Sequence, residues 1–220
     1  MAIRKVPLAV NEIYHVFTKS ISGFTVFNHL KDYERILSLL SFYNHIKPPC
    51  KFSLFLELQE RIGSNILPLA ESCEKLVKIL VYCIMPTHIH LVLEQLHENG
   101  IAKFMNLILI SYSKYFNAAH NRKGPLWEDR FQNVRVEDDS HFVHLTRYVH
   151  LNPTTADLVA RPEEWRFSSY GEYLGTTDKN NSLCTFSDCL DIRSEDYKRF
   201  VDDRIEYQRE LALIKYLLLD

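Results

Sequence analysis

The chain of 220 residues has little glycine or proline, six and eight residues respectively. That scarcity excludes collagen-like and low-complexity organisation. Its five cysteines, Cys50, Cys73, Cys83, Cys184 and Cys189, are odd in number and contain no Cys-x-x-Cys pair. A zinc ribbon and a disulfide scaffold are therefore not expected, and the cysteines read as reduced, packed thiols of a cytoplasmic protein. No signal-peptide h-region opens the chain and no uninterrupted apolar run is long enough to span a bilayer, so no membrane partner is expected. Excess charge is also lacking: the formal net charge is -2 and the pI about 6.6, which excludes a histone-like electrostatic binder. With 46% hydrophobic residues, the length suits one globular domain with a sizeable core and a small appendage.

What is present centres on Val81-Tyr-Cys-Ile-Met-Pro-Thr-His-Ile-His-Leu-Val-Leu-Glu94, an apolar run broken at Met85-Pro86-Thr87. Lys78 to Met85 and His88 to Gln95 form a hairpin of two central strands. Side chains alternate along a strand, so His88 and His90 share one face while Ile89, Leu91 and Leu93 bury the other. Two imidazoles on a stiff element are a common metal mount. With ten histidines in the chain, such a pair is also often only a solvated face.

Upstream, Glu12 to Lys19 alternates as a first strand and Phe24 to Phe27 as a short second piece. Leu30, Tyr33, Ile36, Leu37 and Leu40 recur at three-to-four spacing, giving an amphipathic helix within His29 to Ile46 that Lys47-Pro48-Pro49 ends. Phe52, Leu54 and Leu56 suggest a short strand, and Ile62 to Leu69 a loop. Downstream, Ile101 to Ala119 is a second long helix and Trp127 to Glu137 a further strand. Asp138 or Asp139 caps a third helix running through Phe142, Leu145 and Val149.

This order predicts an α+β fold, a ferredoxin-like βαββαβ antiparallel sheet with helices on one face, plus a helical C-terminal extension. Such a sheet leaves its other face free. Residues 1–165 form the main domain, and residues 166–220 the extension, in which Ser194 to Leu219 gives one or two helices.

A second constellation lies in Leu145-Thr-Arg-Tyr-Val-His-Leu-Asn-Pro153. Tyr148 and Asn152, four apart, share a helix face, although Asn152 could instead cap a new helix with Pro153 at its first position. Tyrosines are mostly packing residues; His141 and His144, three apart on the same helix, could be a second metal pair but read, like His150, mostly as surface residues. From Lys103 to Arg135 the chain is locally positive, and Lys114, Arg122, Lys123, Arg130 and Arg135 could contact a phosphate backbone. Tyr112 or Trp127, if exposed, could stack on unpaired bases.

Met85-Pro-Thr-His-Ile-His-Leu-Val-Leu93, Tyr112-Ser-Lys-Tyr-Phe-Asn117, Gly124-Pro-Leu-Trp-Glu-Asp-Arg-Phe131, Val136-Glu-Asp-Asp139 and Arg147-Tyr-Val-His-Leu-Asn-Pro153 follow one another in order. Together they resemble the single-tyrosine HUH transposases, most closely the REP-associated tyrosine branch, over about residues 77 to 170. A weaker echo lies in Tyr14-His-Val-Phe17. Lys19-Ser-Ile-Ser-Gly23 stands where that family has an arginine-rich loop, and Thr87 where Asn or Glu is common.

The resemblance implies a transposase that cleaves and rejoins single-stranded or hairpin DNA. Tyr148 would be the nucleophile, and His88, His90 and Asn152 would hold Mg²⁺ or Mn²⁺. A phenol is a poor nucleophile until deprotonated but a good leaving group, so its attack on a phosphodiester is reversible and conserves the bond as a 5′-phosphotyrosine. The alternatives are a metal phosphoesterase using water at His88-x-His90, against which Val92 stands where a third alternating histidine would be expected, and an inactive hairpin-binding protein. A homodimer and a monomer are both compatible with the sequence.

Overall fold

In the computed structural model, residues 7–62 and 74–217 are described. Four strands form one antiparallel sheet: β1 Ile13–Lys19, β2 Val77–Met85, β3 His88–Gln95 and β4 Gln132–Arg135, in spatial order β2-β3-β1-β4. Helix α1 (Leu30–Phe42) and helix α2 (Phe52–Ile62) separate β1 from β2, and α3 (Gly100–Ala119) separates β3 from β4. After β4 come α4 (Asp139–Thr155), the single turn α5 (Tyr170–Tyr173), α6 (Ser194–Asp202) and α7 (Ile205–Leu217). The α+β, ferredoxin-like expectation is met.

The alternation of each strand sets the layers. Tyr14 and Val16 of β1, with Ile89, Leu91 and Leu93 of β3, point toward α1 and α3 and join Ile36, Leu40, Phe104 and Ile108 in the main core. Each such aliphatic side chain, removed from water, contributes about 1.5–3 kcal/mol. The opposite face is not left free as the sequence reading had it. Over β2 it carries a second core in which Val81, Cys83, Met85 and Val92 meet Phe142, Leu145 and Val149 of α4 and Tyr197 and Val201 of α6. Opposed apolar positions on α4 require that cover. A cleft lies on the same face over β1 and the start of β3.

Several local readings change. Phe52, Leu54 and Leu56 lie in α2 rather than a strand; Phe52 and Phe55 pack on Phe42 at 5.0 and 4.9 Å between ring centroids, a helical i, i+3 contact. Phe24 to Phe27 forms no strand, because the Val26 and Phe27 N–H groups both donate to the Pro86 carbonyl at the hairpin turn. Within Trp127 to Glu137 only Gln132–Arg135 is strand, although Trp127 bridges Ser20 and Val136 N–H donates to Ile13. The Ile62 to Leu69 loop and Cys73 lie largely or wholly outside the described residues; Cys50, Cys83, Cys184 and Cys189 are free thiols. Among the described residues no helix is long and apolar enough to cross a membrane.

Candidate active site

Helix α4 begins at Asp138, whose carboxylate accepts from the His141 N–H at 2.7 Å. Pro153 does not start a new helix: α4 continues through it to Thr155, losing only the rung that its missing N–H would make. Tyr148 and Asn152 therefore stay one turn apart on a common face. The Asn152 side-chain amide donates to the Tyr148 carbonyl at 2.9 Å, which leaves its oxygen as the acceptor for a ligand.

That face meets the sheet. A cleft of about 510 Å³ is lined by His15, Phe17, His88, His90, Tyr148 and Asn152, with Lys19, Gly23, Thr87 and Glu128 at its wall. The Tyr148 ring lies 5.9 Å from the His90 ring and 6.2 Å from the His15 ring, both edge-on, and is 44% exposed. His88 and His90 lie 5.0 Å apart with perpendicular rings. The four residues singled out for chemistry, drawn from a hairpin and a helix about sixty positions later, thus share one cavity.

His15 was missed. It stacks on His90 at 5.1 Å between centroids, and its Nε2 lies 2.9 Å from His90 Nδ1. In register it faces Val92, so the neighbouring strand supplies an imidazole beside the position where β3 has none. The alternation of Tyr14 and Val16 into the core was the signal that would have placed His15 and Phe17 in the cleft.

Burial sets the charge state of these imidazoles. It lowers the His88 pKa to about 4, helped by the nearby Lys19 ammonium, and the His15 pKa to about 4, helped by His141. His90 falls well below its ordinary value through burial first, then His88, His15 and Lys19. All three are neutral at pH 7, the form that binds metal. Among the described residues no group of three or more His, Cys, Asp or Glu is arranged to hold a metal ion, and the bonding shows why His15 does not complete one. His90 Nδ1 engages His15, and His88 Nδ1 lies 2.9 Å from Thr87 Oγ1. Each histidine keeps Nε2 for a ligand while a neighbour fixes its ring, as metal-binding histidines require. These two nitrogens and the Asn152 oxygen, all in the cleft, are the groups that could hold a divalent cation.

The basic residues do not converge. Arg130 sits beside the cleft in a hollow sharing Phe17, Lys19 and Glu128 with it. Lys123 is exposed on the loop after α3. Arg122 donates to Asn117 Oδ1 and the Pro125 carbonyl and covers Phe24, and Arg135 forms a two-pronged pair with Glu12 at 2.6 and 2.9 Å. Lys114 lines a different hollow on the outer side of α3. Tyr112 is fully buried, its hydroxyl donating to the Val26 carbonyl at 2.6 Å, so it offers no stacking surface. His150, read from the sequence as a surface residue, is fully buried as well.

Fold and cleft together define an α+β protein with a histidine pair on the central hairpin and a tyrosine on the helix after the last strand. Residues 52–152, from α2 through Asn152, match the profile of the family described as transposase, IS200 like, so this part of the chain is similar to that family. A solved structure described as the REP-associated tyrosine transposase bound to a REP hairpin shares the fold. Its TM-score is 0.52 at 12% identity, over 88% of this chain and 96% of that one. No curated protein matches the chain.

Proposed function

We propose that this protein is a transposase that cleaves and rejoins single-stranded or hairpin DNA through Tyr148. Its partial match to the IS200-like transposase profile and the fold it shares with a transposase bound to a REP hairpin support the reading. The observation that carries the reading is the approach of the Tyr148 ring to within 5.9 Å of the His90 ring across a cleft that also holds His88 and Asn152. His88 and His90 would hold a divalent cation, Mg²⁺ or Mn²⁺, through their Nε2 atoms, with the Asn152 side-chain oxygen. Such a cation, when bound, supplies Lewis-acid polarisation of a phosphate oxygen.

The rest belongs to the chain. Tyr148 gives its phenol proton to solvent, to which it is open, and its oxygen attacks phosphorus. The bond from phosphorus to the 3′ oxygen breaks, and that oxygen takes a proton. One end is then a free 3′ hydroxyl and the other a 5′-phosphotyrosine. Attack by a 3′ hydroxyl on that phosphotyrosine reverses the step and joins two ends. Lys19 and Arg130, at the cleft and beside it, are placed to meet the flanking phosphates. Residues 1–165 form the catalytic unit in this scheme, and the 166–220 extension backs α4 through α6.

The test is a denaturant-resistant adduct between the purified protein and a hairpin oligonucleotide in Mg²⁺ or Mn²⁺. Tyr148→Phe is expected to abolish it. An adduct that survives in that variant, or cleavage with no covalent species at any time, rejects the assignment.

A further inference from the structure

On the far side of α3 from the histidine cleft lies a hollow of about 670 Å³, set among α1, α2 and α3. Arg35, Lys51 and Lys114 all line it, one from each of three segments, and among the described residues no acidic side chain does. Asp32, which bonds the lining residue Tyr115, is buried at the start of α1. Its carboxylate accepts from the Asn28 and His29 N–H groups and the Tyr115 hydroxyl.

Arg35 is the distinctive member. Its guanidinium carbon sits 4.4 Å from the centre of the Phe52 ring and 5.0 Å from that of Tyr115, and its Nε is buried with no hydrogen-bond partner. Burial lowers its pKa, but a guanidinium keeps its proton throughout the working range. Ring faces hold it in place but do not neutralise it. A cation in that position calls for an anion, and two exposed lysines at the rim add to the same field.

The remaining walls are apolar: the Tyr115 ring, Leu107, and Ile110, which is 55% exposed, with Phe52 buried beneath Arg35. Bare phosphate would use the cations and leave these surfaces wet. A phosphate carrying a planar base uses both, and the volume falls in the range of about 300–1,000 Å³ typical of small-ligand sites. We infer that the Arg35, Lys51 and Lys114 hollow binds a nucleotide unit, a phosphate with its attached base. The unit comes from a single DNA strand or from a free nucleotide, and the site is separate from the Tyr148 cleft. It gives Lys114 a role that the cleft does not.

The full chain in EDTA is irradiated with a twelve-residue deoxythymidine strand carrying 5-iododeoxyuridine, and adducted peptides are mapped by mass spectrometry. Adducts on Tyr115 are expected; adducts confined to the His15 and Tyr148 cleft overturn the inference. Lys51→Glu with Lys114→Glu, both exposed and expected to fold normally, should weaken binding of the plain strand about tenfold or more. The same pair should lower the salt slope by about 0.7 to 1.4. Unchanged affinity and slope in that pair overturn it as well. Arg35→Lys keeps the charge without the planar fork and should weaken binding while the circular dichroism stays that of the wild type. Excess deoxythymidine monophosphate that abolishes the adducts assigns the site to free nucleotide, whereas adducts that persist assign it to the strand. Inorganic phosphate that displaces as well as the nucleotide rules out base recognition. Because no metal is present, failure here leaves the Tyr148 reading untouched, and failure of that reading leaves this one.

Discussion

Tyr197→Phe should destabilise the protein by about 2 kcal/mol although it removes one oxygen far from the cleft. Tyr197 of α6 is fully buried, its hydroxyl 2.7 Å from His150 Nδ1 and 2.9 Å from Thr146 Oγ1, both on α4. Neutral His150 has one donor and one acceptor, and its neighbours fix which is which. The Tyr82 N–H donates to Ser169 Oγ at 3.0 Å, and the Ser169 hydroxyl has two acceptors in reach, the Tyr82 carbonyl at 3.2 Å and His150 Nε2 at 2.8 Å. The Tyr82 carbonyl already receives the Ser169 N–H at 2.9 Å, so the shorter contact to His150 takes the hydroxyl proton. Nδ1–H then donates to Tyr197, Tyr197 to Thr146, and Thr146 to the Val143 carbonyl at 2.8 Å. Deleting the Tyr197 hydroxyl leaves a buried N–H with no acceptor, worth about 1–3 kcal/mol, while Thr146 keeps its own acceptor. For a chain of this size, about 2 kcal/mol lowers Tm by about 4–8 °C. Urea unfolding followed by the fluorescence of Trp127 and Trp165 measures it. Tyr207→Phe, at a 49% exposed position, is the control and should lie within about 0.5 kcal/mol of wild type. A Tyr197→Phe loss no larger than the control's would refute the directed chain of donors.

The same buried imidazole predicts acid sensitivity. Burial lowers the His150 pKa to about 3, and the groups facing it, Tyr197, Ser169, Tyr170 and Tyr173, carry no charge at neutral pH. The unfolded chain takes up that proton near pH 6.5, so between about 6.5 and about 3 the unfolded state binds more protons and stability rises with pH. Above about pH 7.5 the effect vanishes; below 6.5 each unit removes at most about 1.4 kcal/mol. Urea titrations in EDTA from pH 7.5 to 5 should show this slope reduced by close to one proton in His150→Leu, and an identical slope in both proteins would disprove it. At the cleft, His15→Ala should weaken Mn²⁺ binding about 10- to 100-fold by releasing the His90 ring, read as free Mn²⁺ by electron paramagnetic resonance. Equal affinity would show that His15 does not orient a ligand.

The sequence carried the parts of the fold that depend on period and on breakers. The hairpin, the two long helices and the Asp138 cap were all legible, because each is set by nearby residues. What was not legible depended on distant partners. Phe52, Leu54 and Leu56 alternate as well as any strand, and only Phe42 across the core selects the helix. His150 is charged or neutral, exposed or buried, according to what covers α4, and that cover is α6, which lies almost fifty positions later. His15 was hidden for the reverse reason: its strand was found, but its partner strand β3 lies seventy-five positions away and the register was unknown. Among the basic residues, formal charge gave no warning that Arg135 is tied to Glu12 or that Arg122 braces a loop.

These contacts also explain how a 44% exposed tyrosine is aimed without being packed. Along β3, Ile89, Leu91 and Leu93 anchor the strand in the main core, and the intervening positions necessarily present His88 and His90 on the other face. Along α4, Leu145, Val149 and His150 face the second core and the Tyr197 hydroxyl, so helical geometry turns Tyr148 and Asn152 to the cleft. The reacting side chains need few contacts of their own, because each adjoins a residue that is locked. Rotation of α4 that moved Tyr148 away from His90 would drag His150 off Ser169 and Tyr197 and expose Val149. The free energy holding the cleft together is therefore stored on the opposite sides of its two elements, where solvent, substrate and metal do not reach.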